Sequence, residues 1–225
     1  MTKEQWADVD RYLAQALITP DPVLEEAMAA NSRAKLPAID VTPTQGKLLY
    51  LLALTQGAKR ILEFGTLGGY STIWLARALP TDGLLVTLEA DPLHAKVAAE
   101  NIERSGLTQK VRILTGKALD LMPTVQAKYG RDFDLIFIDA DKTNTTEYFR
   151  WATKLGRPGC LVIVDNVIRN GEVANAGSPD ANVQGMRRFL ASLDDYPKVQ
   201  ATAIQTVGAK GYDGFVLARL PDTVG

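Results

Sequence analysis

Polar side chains follow two apolar runs of the sequence, at the point where each run ends. Asp139, Asp141 and Lys142 come after the first run, and Asp165 and Asn166 come after the second. If the runs are neighbouring parallel strands, their carboxyl ends meet at one edge of a sheet, and Asp139, Asp165 and Asn166 lie close together. Three oxygen donors suit a hard cation, with Mg²⁺ as first choice and Mn²⁺ or Ca²⁺ as alternatives. Zinc is disfavoured because the chain has one cysteine and one histidine.

A proton acceptor beside that cation has to be a lysine, an acid or a tyrosine. The single histidine, His94, lies in a polar helical segment, and we expect it at the surface. Lys142 is the best candidate, because a nearby divalent charge and partial burial both favour the neutral amine that accepts a proton. The alternative is a Lys142 that is solvated or pairs with Asp141.

Residues 60–77 predict a short buried strand, a glycine-rich turn and a helix. Gly65, Gly68 and Gly69 allow a sharp turn and a close approach of a ligand, and the free N–H groups there suit a polar group. The glycine spacing differs from the Gly-x-Gly-x-x-Gly fingerprint of dinucleotide sites. Glu63, two residues before Gly65, would repel a pyrophosphate but attract an ammonium or sulfonium group. The alternative is a plain tight turn between strand and helix.

A further acid, Glu89, ends the next apolar run, about 20 residues past the glycine turn. An acid at a strand's carboxyl end in this place accepts both hydroxyls of a ribose. NAD and S-adenosylmethionine both carry such a ribose, so Glu89 supports a nucleoside without choosing between them. The alternative is a solvated acid that caps the following helix, a part that Asp91 can also play.

Strands and helices alternate from residue 60 onward, which predicts parallel strands joined by helices. The predicted strands are 60–64, 84–89, 111–115, 133–139 and 159–165, and the predicted helices between them are 71–79, 92–105, 118–128 and 145–155. A helix near 181–193 precedes two apolar segments, 199–207 and 213–220, and helices at 3–18, 22–34 and 44–57 precede the first strand. The expected architecture is a Rossmann-like α/β fold. It has a mainly parallel seven-stranded sheet with a terminal antiparallel pair, helices on both faces and extra N-terminal helices.

Length and composition fit one domain over residues 1–225, with an N-terminal helical cap (1–42) and a catalytic core (43–225). Hydrophobic residues make up 46% and charged residues 23%, and the net charge is −1 without a basic run, so we expect neither nucleic acid nor membrane as a partner. No apolar run approaches the ~20 residues of a membrane span. Cys160, the lone cysteine, is expected to be buried, and a cytoplasmic location fits best.

In combination these motifs resemble the cation-dependent O-methyltransferase family, of the caffeoyl-coenzyme-A and catechol O-methyltransferase type. The motifs are the segment 63–71, Glu89, the segment 138–142 and the segment 165–167. The resemblance covers about residues 37 to 220. It implies a methyltransferase fold, a homodimer, and S-adenosylmethionine as methyl donor with S-adenosylhomocysteine as product. The implied acceptor is a small aromatic with vicinal hydroxyls: a catechol, a caffeate-like acid or a flavonoid.

The resemblance also implies a role for individual residues. Asp139, Asp165 and Asn166 would hold the metal, and Lys142 would take the proton of the substrate. The implied cofactor contacts are Val41, Glu63, Gly65, Thr66, Ser71, Glu89, Ala118 and Asp139. Catechol-type relatives place tryptophan and proline at two positions beside the substrate, where this chain has Asp141 and Asn170.

Three other interpretations remain. The stretch from Phe137 to Thr143 matches the hydrophobic-Asp-x-Asp-x-Thr motif of haloacid-dehalogenase-type hydrolases, with Asp139 as nucleophile, although that family places the motif on its first strand. An NAD-dependent oxidoreductase is opposed by the glycine spacing and by Glu63. A non-catalytic module that binds S-adenosylmethionine is opposed by the full set of polar strand-end residues.

Overall fold

The computed structural model describes residues 2–222, which contain eight α-helices and seven β-strands. The helices are α1 (Lys3–Leu17), α2 (Pro22–Arg33), α3 (Pro43–Thr55), α4 (Tyr70–Ala78), α5 (Pro92–Arg104), α6 (Ala118–Tyr129), α7 (Thr145–Leu155) and α8 (Ala181–Ser192). The strands are β1 (Arg60–Phe64), β2 (Leu84–Glu89), β3 (Val111–Thr115), β4 (Phe133–Ile138), β5 (Gly156–Asp165), β6 (Gln200–Gly208) and β7 (Gly211–Arg219). None of the helices in these residues has the length and apolar character needed to cross a membrane.

All seven strands form one sheet in the order β3-β2-β1-β4-β5-β7-β6. Strands β1 to β5 are parallel, while β7 pairs antiparallel with both β5 and β6. The order reverses direction between β1 and β4, which is where open α/β sheets bind ligands. The predicted α/β fold, with its terminal antiparallel pair, is confirmed.

The central strands are apolar on both sides, because helices cover both faces of the sheet. Side chains at odd positions of β1, such as Ile61, pack with α2 to α5, and side chains at even positions, such as Leu62 and Phe64, pack with α6 to α8. Cys160 is buried in the second of these layers, as expected.

The two N-terminal helices lie against different parts of the core. Helix α2 packs on α4 and α5 and buries Leu24, Ala27 and Asn31, whereas α1 lies against β6 and α3 and buries none of its residues. The loop from α2 to α3 brings Ile39, Asp40 and Val41 to the carboxyl edge of the sheet. The N-terminal region therefore forms part of the wall of the candidate site.

The fifth strand differs from the prediction, since it begins at residue 156 rather than 159. A register shift against β4, between Phe133 and Leu135, and a left-handed backbone at Gly159 (φ +71°) allow the strand to continue through this irregularity. Strand β4 ends at Ile138, so Asp139 is the first residue beyond its strand rather than the last residue within it.

Candidate functional site

A cavity of about 740 Å³ runs along the carboxyl edge of the sheet. The predicted site residues that line it are Val41, Gly65, Thr66, Ser71, Glu89, Ala118, Asp139, Lys142 and Asn166. Two further predicted residues, Glu63 and Asp165, are not among its lining residues and are buried behind it. The structure thus brings nine of the eleven predicted residues to one cavity and the other two next to it.

The sheet order sets the sequence of groups along this cavity. Ala118 follows β3, Glu89 is the last residue of β2 and Gly65 follows β1. Asp139 and Asn166 then follow β4 and β5. We call the first part the β2–β3 end and the last part the β4–β5 end. Neighbouring strands lie about 4.8 Å apart, so three strand spacings, roughly 14 Å, separate Glu89 from Asn166.

The glycine turn after β1 contacts the backbone of Asp139, directly after β4. Gly65 has a left-handed backbone (φ +93°), and a Cβ on it would lie 2.1 Å from the carbonyl oxygen of Asp139. The N–H of Asp139 donates to the carbonyl of Phe64 at 2.9 Å. A side chain at position 65 would therefore push apart the turn after β1 and the tip of β4.

Glu63 lies underneath this turn and is fully buried. Its carboxylate accepts hydrogen bonds from the hydroxyls of Ser71 (2.7 Å) and Thr72 (2.5 Å), both on α4. Burial raises the pKa of Glu63 to about 7, although these hydroxyls oppose the shift. Ser71 lines the cavity and Glu63 does not, so Ser71 stands between the carboxylate and the cavity. The direct contact of Glu63 with a cofactor stays a prediction.

Glu89 holds the glycine turn in place. Its Oε2 accepts from the N–H groups of Thr66 (3.2 Å) and Leu67 (2.7 Å), and its Oε1 accepts from the N–H of Asp91 (2.9 Å). His94 was expected at the surface, and this prediction is wrong. Its side chain is only 20% exposed, lines the cavity and places Nδ1 3.6 Å from Oε1 of Glu89.

Lys142 pairs with Asp139 rather than with Asp141. Its Nζ lies 2.7 Å from Oδ1 of Asp139, and its side chain is 10% exposed. Asp141 instead accepts from the backbone N–H of Asn144 (3.2 Å) and from the hydroxyl of Tyr148, which caps the short 3₁₀ turn that carries Lys142. The lysine is thereby fixed at the β4–β5 end of the cavity.

Asp165 is buried at the tip of β5, with 4% exposure. Its Oδ2 accepts from Nε2 of Gln45 (2.7 Å), and its Oδ1 accepts from the N–H of Asn166 (2.8 Å). Burial and then the negative charge of Asp139 raise the pKa of Asp165 to about 7, while Lys142 opposes this. Asn166 has a left-handed backbone (φ +59°) and lines the cavity.

The donor set at the β4–β5 end fits a hard cation. Within residues 2–222, no three His, Cys, Asp or Glu side chains converge as a metal site would require, which leaves no zinc-type cluster in this part of the chain. Asp139, however, lies close enough to Asp165 for its charge to raise the pKa of that carboxyl, and Asn166 adds an amide. Two carboxylates and an amide are oxygen ligands of the kind that Mg²⁺, Mn²⁺ and Ca²⁺ accept.

Helix α8 fixes the backbone around Lys142. A Cβ on Gly185 would lie 2.2 Å from the carbonyl oxygen of Lys142 and 2.9 Å from Cα of Thr143. The absence of a side chain at position 185 therefore allows α8 to pack directly on the turn that carries the lysine.

Several residues of the site were not predicted. Gln45, which holds Asp165, lies 120 residues away in the chain, and nothing in the local sequence indicates the contact. Asn31 donates to Asp40 (2.9 Å) and accepts from Asn101 (3.1 Å), which also donates to the carbonyl of Gly68 (2.8 Å). A signal for this buried network existed, because Asn31 occupies the apolar stripe of α2.

Comparison with known proteins gives one consistent family. The O-methyltransferase family model matches residues 16–220. A catechol O-methyltransferase of Niastella koreensis is 52% identical over 218 residues, which cover 97% of this chain and 99% of that protein.

Two solved structures that are similar to this chain are also O-methyltransferases. An O-methyltransferase from Bacillus cereus in complex with SAH has a TM-score of 0.95 and 53% identity, and the match covers 97% of this chain and 100% of that one. An O-methyltransferase from Streptomyces achromogenes, involved in tomaymycin synthesis and solved with SAM, has a TM-score of 0.94 and 48% identity, with 98% and 99% covered.

Glu63 makes the stability of the fold dependent on pH. Its pKa in the folded protein is about 7, above the ordinary value of 4.5, so the folded state keeps a proton that the unfolded state releases in this window. The free energy of unfolding should therefore decrease as the pH rises from 4.5 to 7, by at most about 3 kcal/mol. We expect Glu63→Gln to make this decrease smaller, as measured by urea unfolding at pH 5 and pH 8, while the part that comes from the raised pKa of Asp165 remains.

The control for this experiment is Glu100→Gln, which changes an exposed acid of α5. Its unfolding should follow the pH dependence of the unmodified protein. An equal pH dependence in all three proteins would contradict the assignment to Glu63.

Proposed function

The chain belongs to the O-methyltransferase family, and from this we propose that it transfers a methyl group from S-adenosylmethionine to one hydroxyl of a small vicinal-dihydroxy aromatic, with a divalent cation. The observation that carries this proposal is the order of groups along one cavity. Glu89 lies at the β2–β3 end, while Asp139, Lys142 and Asn166 line the β4–β5 end with Asp165 buried behind them.

The β2–β3 end supports the binding of the methyl donor. Glu89 stands where a carboxylate accepts ribose hydroxyls. The N–H groups of Thr66, Leu67 and Asp91 occupy three of its roughly four acceptor positions, which leaves about one for a ligand. Val41, Ser71 and Ala118 line the same cavity, in agreement with their proposed contacts to the cofactor. The methyl group would then lie toward Asp139, on the side of the acceptor.

Asp139, Asp165 and Asn166 are the proposed ligands of the cation, with Mg²⁺ as first choice. A cation bound there would supply Lewis-acid chemistry, which favours the phenolate of a chelated diol. The mutual repulsion of the two carboxylates supports this assignment, because a positive charge between them removes it.

Lys142 is proposed to take the proton of the reacting hydroxyl. A phenol has a pKa of about 10 and is a poor nucleophile at neutral pH, so a positioned base is needed. The phenolate oxygen then bonds to the methyl carbon while the carbon–sulfur bond breaks, which leaves S-adenosylhomocysteine. No covalent intermediate with the protein is required, and orientation of the two substrates can contribute roughly 7–11 kcal/mol.

The alternatives receive no support from the family. A haloacid-dehalogenase-type nucleophile at Asp139 leaves Glu89 and the glycine turn without a function. Oxidoreductase chemistry with NAD likewise leaves the acids of the β4–β5 end unused.

We further propose a cytoplasmic homodimer. Helix α1 and the neighbouring strand β6 expose apolar side chains, among them Tyr12 (68%), Leu17 (67%) and Val207 (53%). Exposed apolar surface that continues from one element to the next is typical of an interface. The buried, free thiol of Cys160 is consistent with a reducing compartment.

Methyl transfer from labelled S-adenosylmethionine to a panel of vicinal diphenols tests the function, with Mg²⁺ or with EDTA. We expect transfer with Mg²⁺ and its loss with EDTA. Asp165→Asn should lose both methyl transfer and the binding of Mg²⁺ in calorimetric titration, because it removes a ligand charge without changing the size of the side chain.

The matched control is Asp194→Asn, which changes an exposed acid that does not line the cavity. It should bind Mg²⁺ as the unmodified protein does. Equal activity in EDTA and in Mg²⁺ would contradict the role of the cation.

Replacement of Lys142 tests the proton acceptor. Lys142→Met keeps most of the length of the side chain but has no amine, so kcat should fall by about 10²–10⁴-fold while the affinity for S-adenosylhomocysteine stays within about twofold. Steady-state kinetics and calorimetry measure the two quantities, with Lys96→Met, an exposed lysine of α5, as control. A kcat that stays unchanged in Lys142→Met would exclude it as the base.

Gly185 offers a test that leaves Lys142 chemically intact. Because a Cβ at position 185 would meet the backbone of Lys142, Gly185→Ala should displace the lysine and lower kcat by about tenfold to a hundredfold. Gly177→Ala, in an exposed loop where a Cβ has room, should keep the original kcat. Equal kcat values for the two variants would show that this packing does not position the lysine.

A further inference from the structure

Arg169 is a cation of the cavity wall that has no acid to pair with in the part of the chain described. It lies three residues after Asn166, is half-buried and lines the cavity. None of the ion pairs among residues 2–222 includes it. Its Nε is buried without a hydrogen-bond partner in the same residues. A buried donor of this kind costs free energy unless something accepts from it.

The backbone around Arg169 is held in one conformation. Oδ1 of Asp213, on β7, accepts from the N–H groups of Ile168 and Arg169, both at 3.0 Å. Arg169, Asn170 and Gly171 are all left-handed (φ +54°, +57° and +86°). Left-handed residues other than glycine are costly and persist where the surroundings enforce them. Asp213 is thus occupied with backbone groups, and these bonds hold the backbone of Arg169 at the cavity.

Lys142, the other cation that lines this end of the cavity, differs from Arg169 because it has an acid beside it. Its Nζ pairs with Asp139 at 2.7 Å. Lys210, on the turn between β6 and β7, does not line the cavity; burial lowers its pKa, while the carboxylates of Asp40, Asp139 and Asp165 oppose that shift. Arg169 is therefore the cation of the β4–β5 end for which these residues provide no counter-charge.

We propose that Arg169 selects acceptors that carry a carboxylate on the dihydroxy ring, by binding that carboxylate with its guanidinium. The inference rests on the proposed function and narrows its acceptor class from vicinal diphenols in general to dihydroxy aromatic acids. A guanidinium binds a carboxylate through two parallel N–H···O bonds, which is among the strongest polar contacts available to a protein. Position supports the assignment, since Asn166, three residues earlier, belongs to the proposed cation site that would hold the two hydroxyls.

The test compares two dihydroxy aromatic acids with their amides as methyl acceptors. Each acid differs from its amide mainly in charge. The pairs are 3,4-dihydroxybenzoate with 3,4-dihydroxybenzamide, and 3,4-dihydroxycinnamate with its amide, so two distances from the ring are sampled. For the better acid, kcat/KM should exceed that of its amide by about tenfold or more. In Arg169→Gln this ratio should fall toward one, and Arg169→Lys should keep part of it.

Arg188→Gln is the matched control, since it removes an exposed charge from α8. It should retain the ratio of the unmodified protein. A ratio near one in the unmodified protein overturns the proposal, and so does an equal loss on acid and amide in Arg169→Gln, which would mean a structural role.

Calorimetric titration separates this proposal from the proposed function. Acid and amide are titrated into protein that holds S-adenosylhomocysteine and Mg²⁺, and the acid should bind about tenfold more tightly in the unmodified protein but not in Arg169→Gln. Absence of methyl transfer to all four compounds would contradict the proposed function, while the binding ratio still decides the role of Arg169. Equal binding of acid and amide overturns the preference even if both are methylated.

Discussion

The like charges of Asp139 and Asp165, at neighbouring strand tips, are the constraint around which the β4–β5 end of the cavity is arranged. Asp165 is buried and accepts from Gln45 and from its own neighbour's N–H group, while Asp139 holds Lys142. Gln45, the N–H of Asn166 and Lys142 are all donors to one of the two carboxylates, and yet burial and the charge of Asp139 still raise the pKa of Asp165 to about 7. Two acids kept together in this way cost free energy, which the donors and the lysine beside them offset only in part.

The order of the strands sets the order of the polar groups along the carboxyl edge of the sheet. The glycine turn after β1 stands between the acid of β2 and the acid of β4, and Gly65 brings it into contact with the backbone of Asp139. In the proposed function, a methyl donor at the β2–β3 end and an acceptor at the β4–β5 end would therefore meet near the middle of the sheet. The order of the strands sets the separation between these two ends.

The fold was largely predictable, since alternating apolar runs and helical spacing report directly on a sheet covered on both faces. The polar strand ends were predictable for the same reason, because parallel strands share an edge. Contacts between segments that are far apart in the sequence were not predictable. The hydroxyls of Ser71 and Thr72 that donate to Glu63 were likewise not predicted, because no spacing rule gives the direction in which a carboxylate points. Gln45 and His94 acquire their partners only through the packing of helices on the sheet.

The buried hydrogen bonds of Asn31 have a consequence for how proteins of this architecture can vary. They join α2 to Asp40 on the cavity wall and, through Asn101, to the carbonyl of Gly68 in the glycine turn. A Cβ on Gly68 would lie 1.8 Å from the side-chain oxygen of Asn31, so the fit leaves no tolerance. Helix α2 therefore supports the glycine turn. A change in the position of α2 would require a matching change in the turn.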